Sequence, residues 1–287
     1  MTTIRLIYPQ WQGGNISSLV SDLSIEDSSK GYILGSFLLN FLAPETKNET
    51  YTVPIDKKIS KRQEKEGILD YKIIIKQSKK ALEIIKKANP DKILTFGGEC
   101  STSVIPFTYL NKKYNNDTAV IWIDAHPDIT LPYDNYNGYH AMAVSAIMGK
   151  VNKNINKILP SFIDPSRILF LGLRDWEREE IKIRQKEYKI KHLINKDINK
   201  NSNKILSWIK STGAKNVMIH FDLDVLDPKE IIAAVGVVPC GLKINEVIRI
   251  INDISKEYNL IALTIAEPMP KVAIKLKNML NQLPLVR

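Results

Sequence analysis

The sequence predicts a three-layer α/β/α sandwich around a mostly parallel sheet. Short apolar runs rich in Ile, Val and Leu alternate with longer amphipathic segments of helical period, the pattern of a sheet covered on both faces. The unusual ionisable residues fall where those apolar runs end, and open α/β sheets bind ligands outside the carboxyl ends of their strands. The expected strands are residues 4–8, 92–96, 119–124, 168–171, 217–222 and 260–265. A helix is expected over residues 63–87, where Ile68, Tyr71, Ile75, Leu82 and Ile85 form one stripe interrupted by Ser78, before Asn89-Pro90 stops it. Residues 203–210 and 245–257 read the same way. With no flexible linker and no internal repeat, residues 1–287 are expected to form one domain, within the size prior of about one or two.

Composition narrows the partners. Lys and Arg exceed Asp and Glu by ten, 41 against 31, which by charge alone would admit nucleic acid. The lysines, however, are scattered in pairs such as Lys57-Lys58, Lys79-Lys80 and Lys86-Lys87, with acidic residues interleaved and no aromatic platform beside them. A solvated surface is the expectation, with no nucleic-acid partner. The longest apolar-leaning run, residues 32–42, contains Ser36 and Asn40 and falls short of the ~20 residues of a membrane span. Because the chain opens directly into the alternating Thr3-Ile4-Arg5-Leu6-Ile7-Tyr8, without a charged stub and cleavage site, it is expected to be cytoplasmic. Cys100 and Cys240 are the two cysteines, too few for a disulfide framework.

The chemistry lies in two clusters. The run Ala119-Val120-Ile121-Trp122-Ile123 ends in Asp124-Ala125-His126-Pro127-Asp128. Residues two apart on a strand share a side, so Asp124, His126 and Asp128 would converge at its end. The run Val217-Met218-Ile219-His220-Phe221 leads likewise into Asp222-Leu223-Asp224, with Asp227-Pro228 beyond. Several carboxylates at the end of a buried strand are costly unless a cation compensates them. Two such ends imply a site for two divalent metals, and carboxylate with imidazole suits manganese or zinc.

Asp-Ala-His-x-Asp followed by Asp-x-Asp-x-x-Asp-Pro resembles the signature of the ureohydrolases: arginase, agmatinase, formimidoylglutamase and their relatives. Further segments match in order. Phe96-Gly97-Gly98-Glu99-Cys100-Ser101 is similar to the family's Gly-Gly-Asp-His-Ser turn, and Gly138-Tyr139-His140 to the segment carrying its mobile histidine. Gly172-Leu173-Arg174-Asp175 resembles its Gly-x-Arg strand end, and Glu267-Pro268-Met269-Pro270 its late Glu-x-x-Pro. The resemblance implies an arginase-like, eight-stranded parallel sheet between helical layers, assembled as a homo-oligomer, a trimer or hexamer. It implies that Asp124 and Asp222 bridge two metals, that Cys100 and Asp128 complete the first site, and that His126 and Asp224 complete the second. His140 would shuttle a proton, and Glu267 would hold the planar cationic group of the substrate.

That assignment fits the chemistry of a guanidino or amidino substrate. A guanidinium carbon is a poor electrophile, and a hydroxide bridging two metals is a nucleophile available near neutral pH, because the cations bring the pKa of bound water down to ~7 in favourable zinc sites. The leaving amine needs a proton, which a histidine with a reference pKa of ~6.5 can supply. The expected activity is therefore hydrolysis of a C–N bond in a linear guanidino or amidino compound, releasing urea or a related amide. Of the other histidines, His192 lies in a Lys-rich segment and reads as structural or exposed. His220 shares the strand side of Asp222, which leaves it as a further ligand, a partner of one, or a buried hydrogen-bonded imidazole.

The match departs from the family at Cys100, where the family carries a histidine. A thiolate is softer and favours zinc or iron over manganese. This leaves open a working site with altered metal preference, one tight and one weak metal, or a non-catalytic, metal-poor relative with a ligand-binding or oligomeric role. The segment Ile129 to Asn137 lacks the Ser/Thr-rich run of arginases, which argues against arginine itself. Glu177 could receive a substrate ammonium or lie on a solvated helix face. The Pro/Gly-rich loop after Asp227-Pro228 is replaced by the apolar Ile231-Ile232-Ala233-Ala234-Val235.

Overall fold

The segment TAVIWI at positions 118–123 is buried at every position, which a strand covered on both faces accommodates. The computed structural model describes residues 1–17, 19–59 and 61–286. Its strands are β1 (Thr3–Tyr8), β2 (Glu49–Thr52), β3 (Glu64–Lys65), β4 (Ile68–Leu69), β5 (Lys92–Gly97), β6 (Thr118–Ile123), β7 (Ile168–Leu171), β8 (Lys191–Leu193), β9 (Asn216–Asp222) and β10 (Asn259–Ala266). Eight of them form one sheet in the order β2-β1-β5-β10-β9-β6-β7-β8, every pairing parallel.

Alternate residues of the central strands feed two cores. Val120, Trp122, Phe170 and Met218 pack with Ile74, Ile85, Phe107 and Leu110 of the helices Tyr71–Ala88 and Val104–Lys113. Ala119, Ile121, Leu169, Val217 and Ile219 pack with Ile205, Ile209, Val247 and Ile250 of the helices Asn203–Thr212 and Ile244–Glu257. The expected three-layer sandwich is the fold observed. A third cluster, with Trp11, Tyr32, Met269 and Ile274, joins the helices Ile25–Leu42 and Lys271–Leu280. No helix among the described residues is long and apolar enough to cross a membrane.

The helix expected from residue 63 starts later. Glu66 and Gly67, at φ 56° and 70°, turn the chain between β3 and β4, which pair antiparallel. The helix begins at Tyr71, and its buried stripe is Tyr71, Ile74, Gln77, Ala81 and Ile85. Ile68 belongs to the hairpin, while Ile75 and Leu82 are only partly buried.

The end of β5 must pass very close to that of β1. Gly98 donates to the Tyr8 carbonyl at 2.9 Å, and Glu267 N donates to the Gly98 carbonyl at 3.0 Å. A Cβ on Gly98 would run into the Gln10 carbonyl, which is why glycine stands there. Gly98→Ala should lower the unfolding free energy by roughly 1–3 kcal/mol. An unchanged urea midpoint and slope would show that the crossing has more room than this packing implies.

Candidate metal centre

β5, β10, β9 and β6 are neighbours in the middle of the sheet, so their carboxyl ends open side by side. Trp122 pairs in register with His220, and the Asp two residues beyond each, Asp124 and Asp222, points to the same side. Glu267 follows β10 directly, and Cys100 opens the short helical turn Cys100–Ser103 after β5. Asp128 and Glu267 both sit in the left-handed region, at φ 49° and 63°. Such backbone costs of order 1–2 kcal/mol for a residue with a side chain, and it concentrates at functional sites.

One group of donors gathers around Asp124. Its Oδ1 accepts from His126 N at 2.7 Å and its Oδ2 from the Trp122 indole at 2.9 Å. His126 Nδ1 lies 2.9 Å from Asp224 Oδ2 and 3.5 Å from Asp124 Oδ1. Donor atoms of Asp124, His126 and Asp224 fall within 4.8 Å of one another. The same spacing holds for a second group, Cys100, Asp124, Asp128 and His220. Asp222 stands beside both groups, accepting from Asp224 N at 2.7 Å and from the Cys100 thiol at 3.0 Å.

A third group joins Cys100 to His140 and Glu267. Glu267 Oε1 accepts from Cys100 N at 3.3 Å and faces His140 Nδ1 at 3.5 Å, while Tyr32 OH donates to Oε2. His140 Nε2 is held by Tyr136 OH at 2.7 Å. The structure thus brings together every site residue expected from the sequence. His192 lies apart, against Gln185 and Trp176, and Glu177 is an exposed neighbour of Arg178.

Electrostatics show how incomplete the protein alone leaves this arrangement. Burial together with the Asp224 carboxylate raises the Asp124 carboxyl to about 6, and burial with neighbouring carboxylates pushes Asp128 and Asp222 well above the usual range. Burial pushes Asp224 up as well, but the His126 imidazolium and the Ala125 N–H outweigh it and hold Asp224 at about 2. Burial alone would lower the pKa of His126; Asp224 and Asp124 together overcome that and hold it well above its ordinary value. Burial and the surrounding carboxylates keep the Cys100 thiol protonated. Five buried carboxylates, Asp124, Asp128, Asp222, Asp224 and Glu267, face two imidazoles able to carry charge. Asp128 Oδ2 and His220 Nε2 are buried without a hydrogen-bond partner. Unpaired acceptors and surplus carboxylate of this kind are what a pair of divalent cations satisfies, so the residues present fit two metals.

Several contributors were given no role by the sequence reading. Tyr32 reaches Glu267 from the helix Ile25–Leu42, Tyr136 reaches His140 from the loop after Asp128, and Asp175 Oδ2 lies 3.8 Å from His126 Nε2 at the rim. Arg174, noted only as part of a motif, donates to the carbonyls of Gly172, Asp224, Val238 and Pro239. It pins the loop before Cys240 onto the Asp224 turn.

The sequence profile of the arginase family matches residues 45–280. Arginase from Eremothecium gossypii is 30% identical over 188 residues, covering 63% of this chain and 47% of that protein. Arginase from Staphylococcus aureus strain COL is 30% identical over 177 residues, covering 58% and 57%. The match thus spans about half the length of these curated relatives. Among solved structures, Entamoeba histolytica arginase in complex with L-ornithine superposes with a TM-score of 0.76 at 21% identity, covering 97% of this chain and 95% of that one.

Proposed function

Since the chain belongs to the arginase family, we propose that it is a metal-dependent hydrolase that cleaves a C–N bond of a linear guanidino or amidino compound, releasing urea or a related amide. The observation that carries this reading is the pair of donor groups sharing Asp124, drawn from β5, β6 and β9 in the middle of the sheet. Asp124, His126, Asp224, Asp128, Asp222 and Cys100 would hold the two cations, manganese or zinc. Bound there, the cations supply Lewis acidity and lower the pKa of water to within reach of neutral pH.

The remaining groups do what the protein's own chemistry allows. His140, its side chain 18% exposed and facing Glu267, is placed to give a proton to the leaving amine. Glu267 offers the carboxylate against which a planar cation would dock. The loop from Ile129 to Asn137 lacks a Ser/Thr-rich run, which favours a substrate without the amino-acid end of arginine. The same reading takes the protein to be a cytoplasmic homo-oligomer, a trimer or hexamer. A second reading, a non-catalytic or metal-poor relative with a ligand-binding or oligomeric role, draws on Tyr32 and Cys100 N already engaging both oxygens of Glu267.

The test is urea or amide release from a panel of guanidino and amidino compounds by manganese- or zinc-loaded protein. Turnover that falls by about 10²–10⁴-fold in His140→Ala, the usual worth of general acid–base catalysis, with both metals retained, is the expected result. Two bound metals without cleavage of any member of the panel would establish the second reading instead.

A further inference from the structure

The site carries a histidine that the family comparison gave no role. His220 is fully buried in β9, its ring stacked on Trp122 with centroids 3.7 Å apart and planes 12° from parallel. Ser103 Oγ lies 2.8 Å from Nδ1. These contacts fix the ring from one face and one nitrogen, and they leave Nε2 without a partner. His220 belongs to the same donor group as Cys100, Asp124 and Asp128, and the other orphaned atom among these residues is Asp128 Oδ2.

Resting on the two-metal reading above, we propose that His220 is a protein ligand of the first cation, supplying through Nε2 the imidazole that Cys100 does not, and that this site takes zinc. An unsatisfied buried polar atom costs about 1–3 kcal/mol, and two in one cluster are hard to account for as packing. Nδ1–H donating to Ser103 Oγ leaves the Nε2 lone pair free, the arrangement in which a second hydrogen bond sets the tautomer and aim of a ligating imidazole. Zinc binds S, N and O at ~2.0–2.3 Å, so its ligand atoms lie at most ~4 Å apart. The group, whose atoms fall within 4.8 Å, needs only a small contraction. A set of thiolate, imidazole and two carboxylates is softer than the oxygen-rich sites manganese prefers. The Cys100 thiol gives its proton to solvent as the cation binds, and Asp222 loses the hydrogen bond it now receives.

The experiment is a zinc titration of metal-free, full-length protein against a competing chelator, comparing the wild type with His220→Ala and His140→Ala. The expected result is two zincs in the wild type and in His140→Ala, and one site weakened by about a hundredfold or more in His220→Ala, beyond what loss of a supporting partner costs. Two zincs held equally by the wild type and His220→Ala would overturn the assignment while leaving the two-metal reading standing. A wild-type chain that takes up no zinc would overturn the assignment, and one that takes up neither zinc nor manganese would overturn the two-metal reading as well. If His220→Ala does not fold, X-ray absorption at the zinc edge of two-zinc His140→Ala decides the matter. One imidazole per zinc, from His126 and His220, supports the assignment; one imidazole for every two zincs overturns it.

Discussion

Asp124→Asn should abolish turnover while making the metal-free protein slightly more stable. Asp124 is common to both donor groups, so its loss removes a ligand from each cation. The cations contribute several kcal/mol of transition-state stabilisation, and each ~1.4 kcal/mol is a factor of ten; a fall of about a thousandfold or more follows. The stability change has the opposite sign. A carboxyl raised to about 6 in the folded protein keeps a proton that the unfolded chain surrenders above ~3.9. The folding penalty therefore grows between those pH values and persists above them, at about 1.4 kcal/mol per unit. Asn escapes it but can accept only one of the bonds from Trp122 and His126, losing ~1 kcal/mol. The net gain is on the order of 2 kcal/mol, or a few degrees of melting temperature at pH 7.5. Retained turnover, or a large fall in the metal-free melting temperature, would mean that Asp124 is a structural carboxylate.

The legible part of the fold was the part buried on both sides. Residues 119–124 and 217–222 are runs that only a covered strand explains, and each ends in the aspartates that matter. Besides the small β3–β4 hairpin, the strands absent from the sequence reading, β2 and β8, are the edges of the main sheet. They are four and three residues long and largely exposed, so neither alternation nor an apolar run marks them. The helix Ile25–Leu42 escaped because, apart from Tyr32, its buried residues are Ser28, Ser29, Gly31, Gly35 and Ser36, small residues that let Gly35 meet the Pro268 carbonyl and Gly31 meet Met269. No hydrophobic period records such packing.

The site divides along the same line. The candidate ligands Asp124, His126, Asp128, Asp222 and Asp224 stand two apart at strand ends, where local spacing predicts convergence, and the structure brings them together, with Cys100 reached only through the family resemblance. Tyr32 lies 235 positions from Glu267, and its contact follows from how the helix Ile25–Leu42 crosses the end of β10. His220 was visible on the correct side of β9, but its free nitrogen depends on Ser103 and Trp122, which only tertiary structure brings to it.

Metal loading should raise the melting temperature by about ten degrees or more at pH 8 and by much less at pH 5. A ligand at a hundred times its Kd stabilises by ~2.7 kcal/mol, so two sites contribute ~5 kcal/mol, at roughly 2–4 °C per kcal/mol for a chain near this size. Acid removes this because the cations must displace protons. At pH 5 the metal-free folded state holds a proton on Asp124, whose carboxyl titrates at about 6, and burial with neighbouring carboxylates makes Asp128 and Asp222 keep theirs well above the usual carboxylate range. His126, also raised, holds another. Each displaced proton weakens binding about tenfold per pH unit below the pKa of its group. The metal-free protein runs the other way: with folded pKa values above the unfolded ones, the three carboxyls destabilise it progressively as pH rises from about 4, while charged His126 stabilises it below its own raised pKa. Melting curves with and without chelator should therefore diverge as pH rises. Equal separation at pH 5 and pH 8 would place the bound metal on groups other than these carboxylates and His126.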